Sequence, residues 1–247
     1  MDGFDELWPG GPRFRQGDFR LSTDSVLLGA FARGIRAEKI IDLGCGAGVL
    51  TVLLSAARPS ARICAVELQE QACRLCRENM AVNGFDTGGI VCADLREHRS
   101  LFPAGSFDLV ISNPPYFAGN SGYAAPDVRR AAARDERFCT LEDLCRAAGY
   151  LCRWGGSFAL VHRPERLSEL FCTMTAFGLE PKRLRLVQHR AGAAPNLVLV
   201  EGRRGGRPSL RIEPPLILTG ADGSDSPEAR EIYHLLFLER KSRQKEL

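Results

Sequence analysis

The stretch Ile41-Asp42-Leu43-Gly44-Cys45-Gly46-Ala47-Gly48 decides the fold of this chain, because it joins an apolar strand to a helix through a glycine-rich turn. Glycine lets the backbone come close to a ligand, and the helix that follows offers unpaired N–H groups in its first turn. The spacing is Gly-x-Gly-x-Gly, which differs from the Gly-x-Gly-x-x-Gly of dinucleotide-binding proteins. Asp42 adds a negative charge that suits an ammonium group better than a pyrophosphate. The pattern therefore predicts a site for a cationic or zwitterionic ligand.

Outward from this turn, short apolar runs alternate with helix-like stretches along the chain. The predicted strands are residues 40–43, 62–67, 90–93, 107–112, 157–162, 184–188 and 197–201. The predicted helices are residues 49–57, 69–82, 141–152 and 165–177. Strands that alternate with helices are joined by parallel crossovers, and their sheet is covered on both faces. We therefore predict an α/β fold whose mostly parallel, seven-stranded sheet ends in a C-terminal antiparallel hairpin formed by the last two strands.

Length and composition set the broad class of the protein. The 247 residues are 45% hydrophobic and 26% charged, which gives enough apolar chain for one substantial core and too much for a disordered protein. We place one main domain at residues 33–203, between flanks at 1–32 and 204–247. The apolar runs fall short of the ~20 residues that span a bilayer, and the acidic N-terminus does not resemble a secretory signal. We therefore expect a cytoplasmic protein without a membrane partner, whose nine cysteines are reduced thiols.

Two further carboxylates follow successive strands. Glu67 closes the second strand, where a carboxylate can accept hydrogen bonds from both hydroxyls of a ribose. Asp94 follows the third strand and could accept a hydrogen bond from the amino group of a purine. An acid in the position of Asp94 is about as often only the cap of the next helix. Because the ends of parallel strands meet at one edge of a sheet, the three carboxylates together predict a nucleoside site.

Together, the glycine-rich turn and the strand-end carboxylates resemble the class I S-adenosylmethionine-dependent methyltransferases over residues 40–201. The resemblance implies a Rossmann-like fold and S-adenosylmethionine as the cofactor. Gly44 and Gly46 would then lie against the methionine part of the cofactor and Glu67 would hold the ribose. Asp94 with Leu95 would contact the adenine. The cofactor-binding residues implied in this way are Thr23, Asp24, Asp42, Gly44, Cys45, Gly46, Glu67, Leu68, Asp94, Leu95 and Asn113.

The second decisive motif is Asn113-Pro114-Pro115-Tyr116, which follows the fourth strand. On its own this motif predicts a rigid turn. At the end of the fourth strand of a methyltransferase sheet, the Asn113 side-chain oxygen and the Pro114 carbonyl can accept hydrogen bonds from a planar amine, and Tyr116 can stack on it. We therefore take these four residues as the catalytic candidates. The resemblance then implies methylation of an amino nitrogen on adenine, guanine or glutamine.

The N-terminal flank narrows the choice of acceptor. Residues 14–32 resemble the N-terminal signature of the valine-tRNA adenine N6-methyltransferases, with further matches at 139–144, 196–206 and 213–218. In that signature Thr23 and Asp24 lie beside the methionine end of the cofactor, so the flank 1–32 should pack on the cofactor site. An ordinary N-capped helix would carry the same residues, and both interpretations can hold together. The resemblance implies methylation at N6 of the adenine next to the anticodon of valine tRNA.

Clusters of basic residues point to RNA as a partner. From Lys182 to Arg211, eight basic residues stand against one acid, which is the pattern expected of a phosphate-binding surface. The solvated surface of a hairpin explains the same pattern equally well. Arginines in the loop after the catalytic motif could reach the phosphates around a flipped-out base. The candidate RNA-binding residues are Arg129, Arg130, Arg134, Lys182, Arg183, Arg203 and Arg204.

Other functions fit parts of the pattern. Within the same class, a guanine N2-methyltransferase acting on ribosomal RNA and a glutamine methyltransferase acting on a protein release factor remain open. From a different class, a non-catalytic RNA-binding module could retain the same fold. Cys73 and Cys76 form a Cys-x-x-Cys motif, but they lie inside one predicted helix and have no second pair at ligand spacing. We therefore predict packed thiols there and no metal.

Overall fold

Residues 3–17, 23–114 and 139–233 are described in the computed structural model, which contains one large sheet with helices on both faces and a small N-terminal sheet. The strands are β1 (Asp5–Glu6), β2 (Arg13–Phe14), β3 (Lys39–Leu43), β4 (Arg62–Glu67), β5 (Ile90–Cys92), β6 (Phe107–Ser112), β7 (Cys152–His162), β8 (Leu179–Arg190), β9 (Pro195–Arg204) and β10 (Arg211–Thr219). The helices are α1 (Thr23–Phe31), α2 (Val49–Ala57), α3 (Glu70–Ala81), α4 (His98–Leu101), α5 (Leu141–Leu151), α6 (Leu167–Ala176) and α7 (Pro227–Ile232).

The large sheet has the strand order β10-β8-β9-β7-β6-β3-β4-β5. Neighbouring strands are parallel except where β9 lies between β7 and β8. The predicted α/β class, the mainly parallel sheet and the antiparallel hairpin are confirmed. The sheet has eight strands, however, one more than the seven we expected.

The additional strand is β10, which comes from the flank 204–247 and pairs in parallel with β8. The sequence pattern does not predict β10, because Pro214 and Pro215 interrupt the apolar pattern and a proline cannot donate to a β ladder. A register shift between Glu213 and Leu216 accommodates the prolines. β10 is at the edge of the sheet, where a missing ladder donor is tolerated. This flank is therefore part of the main sheet.

Alternating side chains of the buried strands divide the core into two layers. On β3, Ile41 and Leu43 pack with α5 and α6 on one face, whereas Ile40 packs with α1 and α2 on the other. Successive residues of a strand point to opposite faces, so Asp42 lies on the same side as Ile40. The alternation of side chains along β3 therefore directs the Asp42 carboxylate toward α2.

All strands of the large sheet except β9 run in the same direction. Their C-terminal ends define one edge of the sheet, which we call the carboxyl edge, and their N-terminal ends define the amino edge. Gly44, Glu67 and Asn113 follow strand ends at the carboxyl edge. Because β8 begins and β9 ends at the opposite edge, Lys182 and Arg203 lie toward the amino edge. In the part of the chain that is described, no helix is long and apolar enough to cross a bilayer.

Leu216 on β10 tests whether this strand belongs to the core. It is 1% exposed and packs with α1 and α2, whereas Ile212 on the same strand is 64% exposed. We expect Leu216→Ala to lower the free energy of unfolding by about 2–4 kcal/mol through lost burial and a cavity. Ile212→Ala should lower it by less than ~1 kcal/mol. Urea denaturation of both variants checks this, and equal losses would contradict the placement of β10.

Candidate cofactor and acceptor site

The turn between β3 and α2 has an unusual backbone. Gly44, Gly46 and Gly48 all have positive φ angles, of 74°, 55° and 86°, which only glycine adopts readily. A Cβ at Gly48 would lie 2.5 Å from the Cys76 sulfur, so this glycine lets the turn pack against α3. A Cβ at Gly44 or Gly46 would meet nothing within 4 Å. The backbone is therefore open at these two glycines, where the sequence analysis expects the cofactor.

Asp42 is buried under the first turns of α2, with 1% of its surface exposed. Thr51 Oγ1 donates a hydrogen bond of 2.8 Å to Asp42 Oδ2. Burial, with a smaller contribution from the nearby Glu67, raises the pKa of the Asp42 carboxyl to about 7, although the hydrogen bond from Thr51 lowers it. Thr51 therefore favours the ionised form in a site that otherwise opposes it, and a ligand cation would favour it too.

Glu67 ties the glycine-rich turn to the end of β4. Its Oε2 accepts a hydrogen bond of 2.9 Å from Gly46 N, and its Oε1 accepts one of 2.9 Å from Gln69 N. A carboxylate has about four lone-pair sites, so both oxygens retain acceptor capacity for hydroxyl groups. Leu68, the next residue, is 43% exposed at the carboxyl edge. An apolar side chain is thus exposed beside this carboxylate, and the nucleoside contact expected there stays a prediction.

Asp94 serves as the cap that the sequence analysis gave as its alternative role. Its Oδ1 accepts a hydrogen bond of 2.9 Å from Arg96 N at the start of a short 3-10 helix, Leu95–Glu97. The Arg96 guanidinium also pairs with both oxygens, and this pairing holds the pKa of Asp94 below its usual value. Leu95 is half-buried directly after it. An adenine contact at Asp94 would have to share this carboxylate with Arg96.

The cysteines of this region are packed thiols. Cys45 Sγ lies 3.9 Å from Cys76 Sγ, and this contact together with burial raises the pKa of Cys45 well above its usual value. Cys73 Sγ contacts the Glu67 carbonyl oxygen at 3.3 Å, and burial raises its pKa to about 12. Across the described ranges, no group of three or more His, Cys, Asp or Glu residues is arranged to hold a metal ion.

Asn113 directly follows β6 and is half-buried. Its Nδ2 donates a hydrogen bond of 2.9 Å to Ser25 Oγ. Thr23 and Asp24 precede Ser25 in the first turn of α1, so this helix brings the N-terminal flank to the acceptor residue. Pro114 is buried. The other two catalytic candidates, Pro115 and Tyr116, lie outside the described residues.

Sequence reasoning missed three residues that shape this site: Ser25, Thr51 and Asn79. Asn79 on α3 is fully buried, and its Nδ2 donates to the carbonyl oxygens of Arg15 and Ala47 at 3.0 and 2.9 Å. Its Oδ1 accepts a hydrogen bond of 2.7 Å from Arg15 N. Asn79 thus joins the N-terminal segment to the glycine-rich turn. An Asn on the buried face of a helix was the only signal in the sequence.

The candidate RNA-binding residues do not form one surface in the structure. Arg183 pairs with Glu201 at 2.9 Å, and its guanidinium lies 3.9 Å from the centre of the Phe31 ring. Arg204 donates to the Phe177 carbonyl oxygen. Both arginines therefore hold the sheet to its helices. Lys182 and Arg203 lie toward the amino edge, away from Asn113, and the remaining candidates, Arg129, Arg130 and Arg134, lie outside the described residues.

Similarity to known proteins agrees with this geometry. The family described as methyltransferase small domain matches residues 21–164. A tRNA1(Val) (adenine(37)-N6)-methyltransferase of Aeromonas hydrophila is 32% identical over 208 residues, which cover 84% of this chain and 85% of that protein. The protein of the same name from Porphyromonas gingivalis is 33% identical over 218 residues, covering 85% of each chain. A solved structure described as a predicted O-methyltransferase of Agrobacterium tumefaciens has the same fold, with a TM-score of 0.68 at 22% identity over 85% of this chain and 95% of that one.

The raised pKa of Asp42 predicts a dependence of stability on pH. The pKa of this carboxyl is ordinarily 3.8 and is about 7 in the folded chain. Between pH 3.8 and about pH 7, the native chain therefore holds a proton that the unfolded chain has released. Stability therefore falls as pH rises through this range, by up to about 4 kcal/mol. Asp42→Asn keeps an acceptor for Thr51 without the charge. We expect this variant to be more stable than the parent at pH 8 and similar at pH 4, by urea denaturation; a difference independent of pH would contradict the assignment.

Asn79 should control cofactor affinity through the glycine-rich turn. Asn79→Ala leaves Ala47 O without this donor and releases Arg15, so we expect S-adenosylmethionine to bind roughly 10-fold more weakly, corresponding to the loss of about one hydrogen bond. The matched control is Asn83→Ala. Asn83 holds Arg13 by two hydrogen bonds of 2.7 Å but does not bond to the turn. Calorimetric titration of both variants with S-adenosylmethionine measures the two affinities. Equally weakened binding would show that Asn79 acts only through the N-terminal segment.

Proposed function

This chain belongs to the methyltransferase small domain family and, within it, to the tRNA1(Val) (adenine(37)-N6)-methyltransferases, and from that membership we propose that it methylates N6 of an adenine in tRNA. By the same resemblance, the substrate is valine tRNA and the target adenine is next to the anticodon. The observation that carries the proposal is the hydrogen bond between Asn113 and Ser25, which orients the acceptor residue at the carboxyl edge.

The cofactor is S-adenosylmethionine, which supplies an electrophilic methyl group attached to a sulfonium sulfur. The residues present fit this cofactor. Backbone at Gly44 and Gly46 is open to a ligand, and Glu67 retains acceptor capacity for ribose hydroxyls beside the exposed Leu68. The buried carboxylate of Asp42 suits a site whose ligand carries an ammonium group. These features support the cofactor-binding roles that we propose for this edge.

Asn113 would hold the adenine amino group during transfer. Because its Nδ2 is engaged by Ser25, its carbonyl oxygen Oδ1 is the group that can accept a hydrogen bond from the N6 amino group. The lone pair of an aromatic amine is delocalised into the ring, so acceptance of its N–H protons by Asn113 and Pro114 favours electron density on nitrogen. The displacement needs alignment more than a strong base, and the site contributes by positioning.

The two flanks take part in this function. Residues 1–32 supply Ser25 and the segment that Asn79 joins to the glycine-rich turn. Residues 33–203 supply the remaining cofactor contacts, and residues 204–247 complete the sheet through β10. Of the candidate RNA-binding residues, we retain Lys182 and Arg203 with the arginines that lie outside the described residues. Arg183 and Arg204 instead stabilise the fold.

Asn113→Ala should lower the turnover number by roughly 10²–10³-fold, because it removes an acceptor that acts on the reacting nitrogen. The affinity for S-adenosylmethionine should be nearly unchanged. Ser25→Ala should lower turnover less, and Ser25→Thr should restore part of the loss because it returns an oxygen acceptor to Asn113. The assay is isotope-labelled methyl transfer to total tRNA, followed by nucleoside mass spectrometry.

New N6-methyladenosine in tRNA would support the proposed acceptor. Methyl transfer to ribosomal RNA or to a protein, with tRNA unlabelled, would overturn that acceptor while leaving the cofactor site intact. Equal loss of turnover and of cofactor affinity in Asn113→Ala would contradict the role that we give to this residue.

A further inference from the structure

A long bulge interrupts β7 at the amino edge of the sheet. Phe107 pairs with Cys152 and Leu109 pairs with Ser157, so residues 153–156 lie opposite the single residue Asp108. A bulge turns the side chains of its extra residues away from the regular ladder. Here it carries Trp154 outward, and 76% of this side chain is exposed. The proposed reaction at the carboxyl edge does not use this tryptophan.

Basic side chains surround Trp154. Its indole ring lies over the backbone of Gly205, where a Cβ would come within 2.3 Å of the ring. Arg203 Nε donates to the Gly155 carbonyl oxygen at 3.0 Å, and Arg153 Nη1 donates to the Trp154 carbonyl oxygen at 3.1 Å. Lys182 Nζ donates to the Arg207 carbonyl oxygen at 2.7 Å, which holds the loop that follows β9. We call Arg153, Trp154, Lys182, Arg203 and Arg207 the amino-edge patch.

The charge of this patch favours a polyanion as its partner. Asp108 pairs with Arg153, Glu180 lies opposite Arg203, and Glu201 at the end of the bulge pairs with Arg183. Together with the four cations of the patch, these residues have a net charge of +2. Asp108 is engaged by Arg153 and by the backbone N–H groups of residues 38 and 39. The core of a protein–protein interface is depleted of charged residues, whereas a stacking platform bordered by cations is typical of single-stranded nucleic acid binding.

The patch is too far from Asn113 to contact the same nucleotide. Ser157, at the end of the bulge, pairs with Leu109, four residues before Asn113. Four residues of strand span roughly 13 Å, and Trp154 lies beyond that level at the opposite edge. A nucleic acid that contacts both places must therefore extend along the height of the sheet, over more than roughly 13 Å.

We propose that the amino-edge patch is a second RNA contact surface, on which an unpaired base stacks on Trp154 while Lys182, Arg203 and Arg207 contact the phosphates beside it. The inference rests on the proposed function in that the RNA is the methylated tRNA. The bound nucleotides are remote from the methylated base, so the patch contributes to substrate affinity and leaves the methyl transfer step unchanged.

Intrinsic fluorescence tests this directly, because the chain contains two tryptophans, Trp8 and Trp154. In Trp8→Phe, all tryptophan emission comes from Trp154, and titration with tRNA should quench it. Adding Arg203→Gln should weaken the binding and reduce the slope of log affinity against log salt by about 1. In Trp154→Phe, emission comes from Trp8 and should change little. Arg74→Gln, an exposed arginine on α3, is the matched control for the charge.

Kinetics provide the second measurement. Trp154→Ala should raise the KM for full-length tRNA by roughly 5- to 100-fold, the range expected for one lost stacking contact, with the turnover number unchanged. With a minimal anticodon stem-loop as substrate, the variant and the parent should have the same KM. This comparison shows whether the contacted nucleotides lie outside the stem-loop.

Three outcomes distinguish failure of this inference from failure of the proposed function. If tRNA is methylated but does not quench Trp154, the inference is overturned and the proposed function stands. Emission that changes with protein concentration in the absence of RNA would overturn it in favour of contact between copies of the chain. If RNA quenches Trp154 and no methylated adenine forms, the patch is supported and the proposed function fails.

Discussion

The turn between β3 and α2 is the constraint on which the rest of the site depends. It must pack closely against α3, where only a glycine at position 48 leaves room for Cys76, and yet remain open at Gly44 and Gly46. Glycines at every second position, 44, 46 and 48, have positive φ angles and meet both requirements. The same turn receives Glu67 from β4 and Asn79 from α3, so two long-range contacts fix its shape.

Burial of two neighbouring carboxyl groups, Asp42 and Glu67, disfavours ionisation of Asp42. Asp42 is buried beside Glu67, and the raised pKa of Asp42 shows that the folded chain bears the cost of that burial. Thr51 offsets only part of it. A cation bound beside such a carboxylate would favour its ionised form, and the ammonium group of the proposed cofactor is such a cation.

Both the glycine-rich turn and Asn113 are held by residues from distant parts of the chain. Ser25 and Asn113 are 88 residues apart, and Arg15 and Asn79 are 64 apart. In both cases the N-terminal flank contributes backbone or hydroxyl groups that hydrogen-bond a side-chain amide, which is buried at Asn79 and half-buried at Asn113. The flank is therefore part of the site, and the opposite, amino edge presents a separate surface around Trp154. The proposed cofactor and acceptor residues at the carboxyl edge and the proposed RNA contact surface at the amino edge therefore lie on different parts of one sheet.

The sequence by itself determined the α/β class, the glycine-rich turn, and the strand-end positions of Asp42, Glu67 and Asn113, because these depend on local period and spacing. It did not reveal β10, whose two prolines break the apolar pattern, or the partners of the amides on α3. The basic residues after Lys182 predict either a phosphate-binding surface or the solvated surface of a hairpin, whereas β8 and β9 divide them between internal ion pairs and the amino edge. Those features were decided only by tertiary structure, because strand order, register and packing join residues that are far apart in the chain.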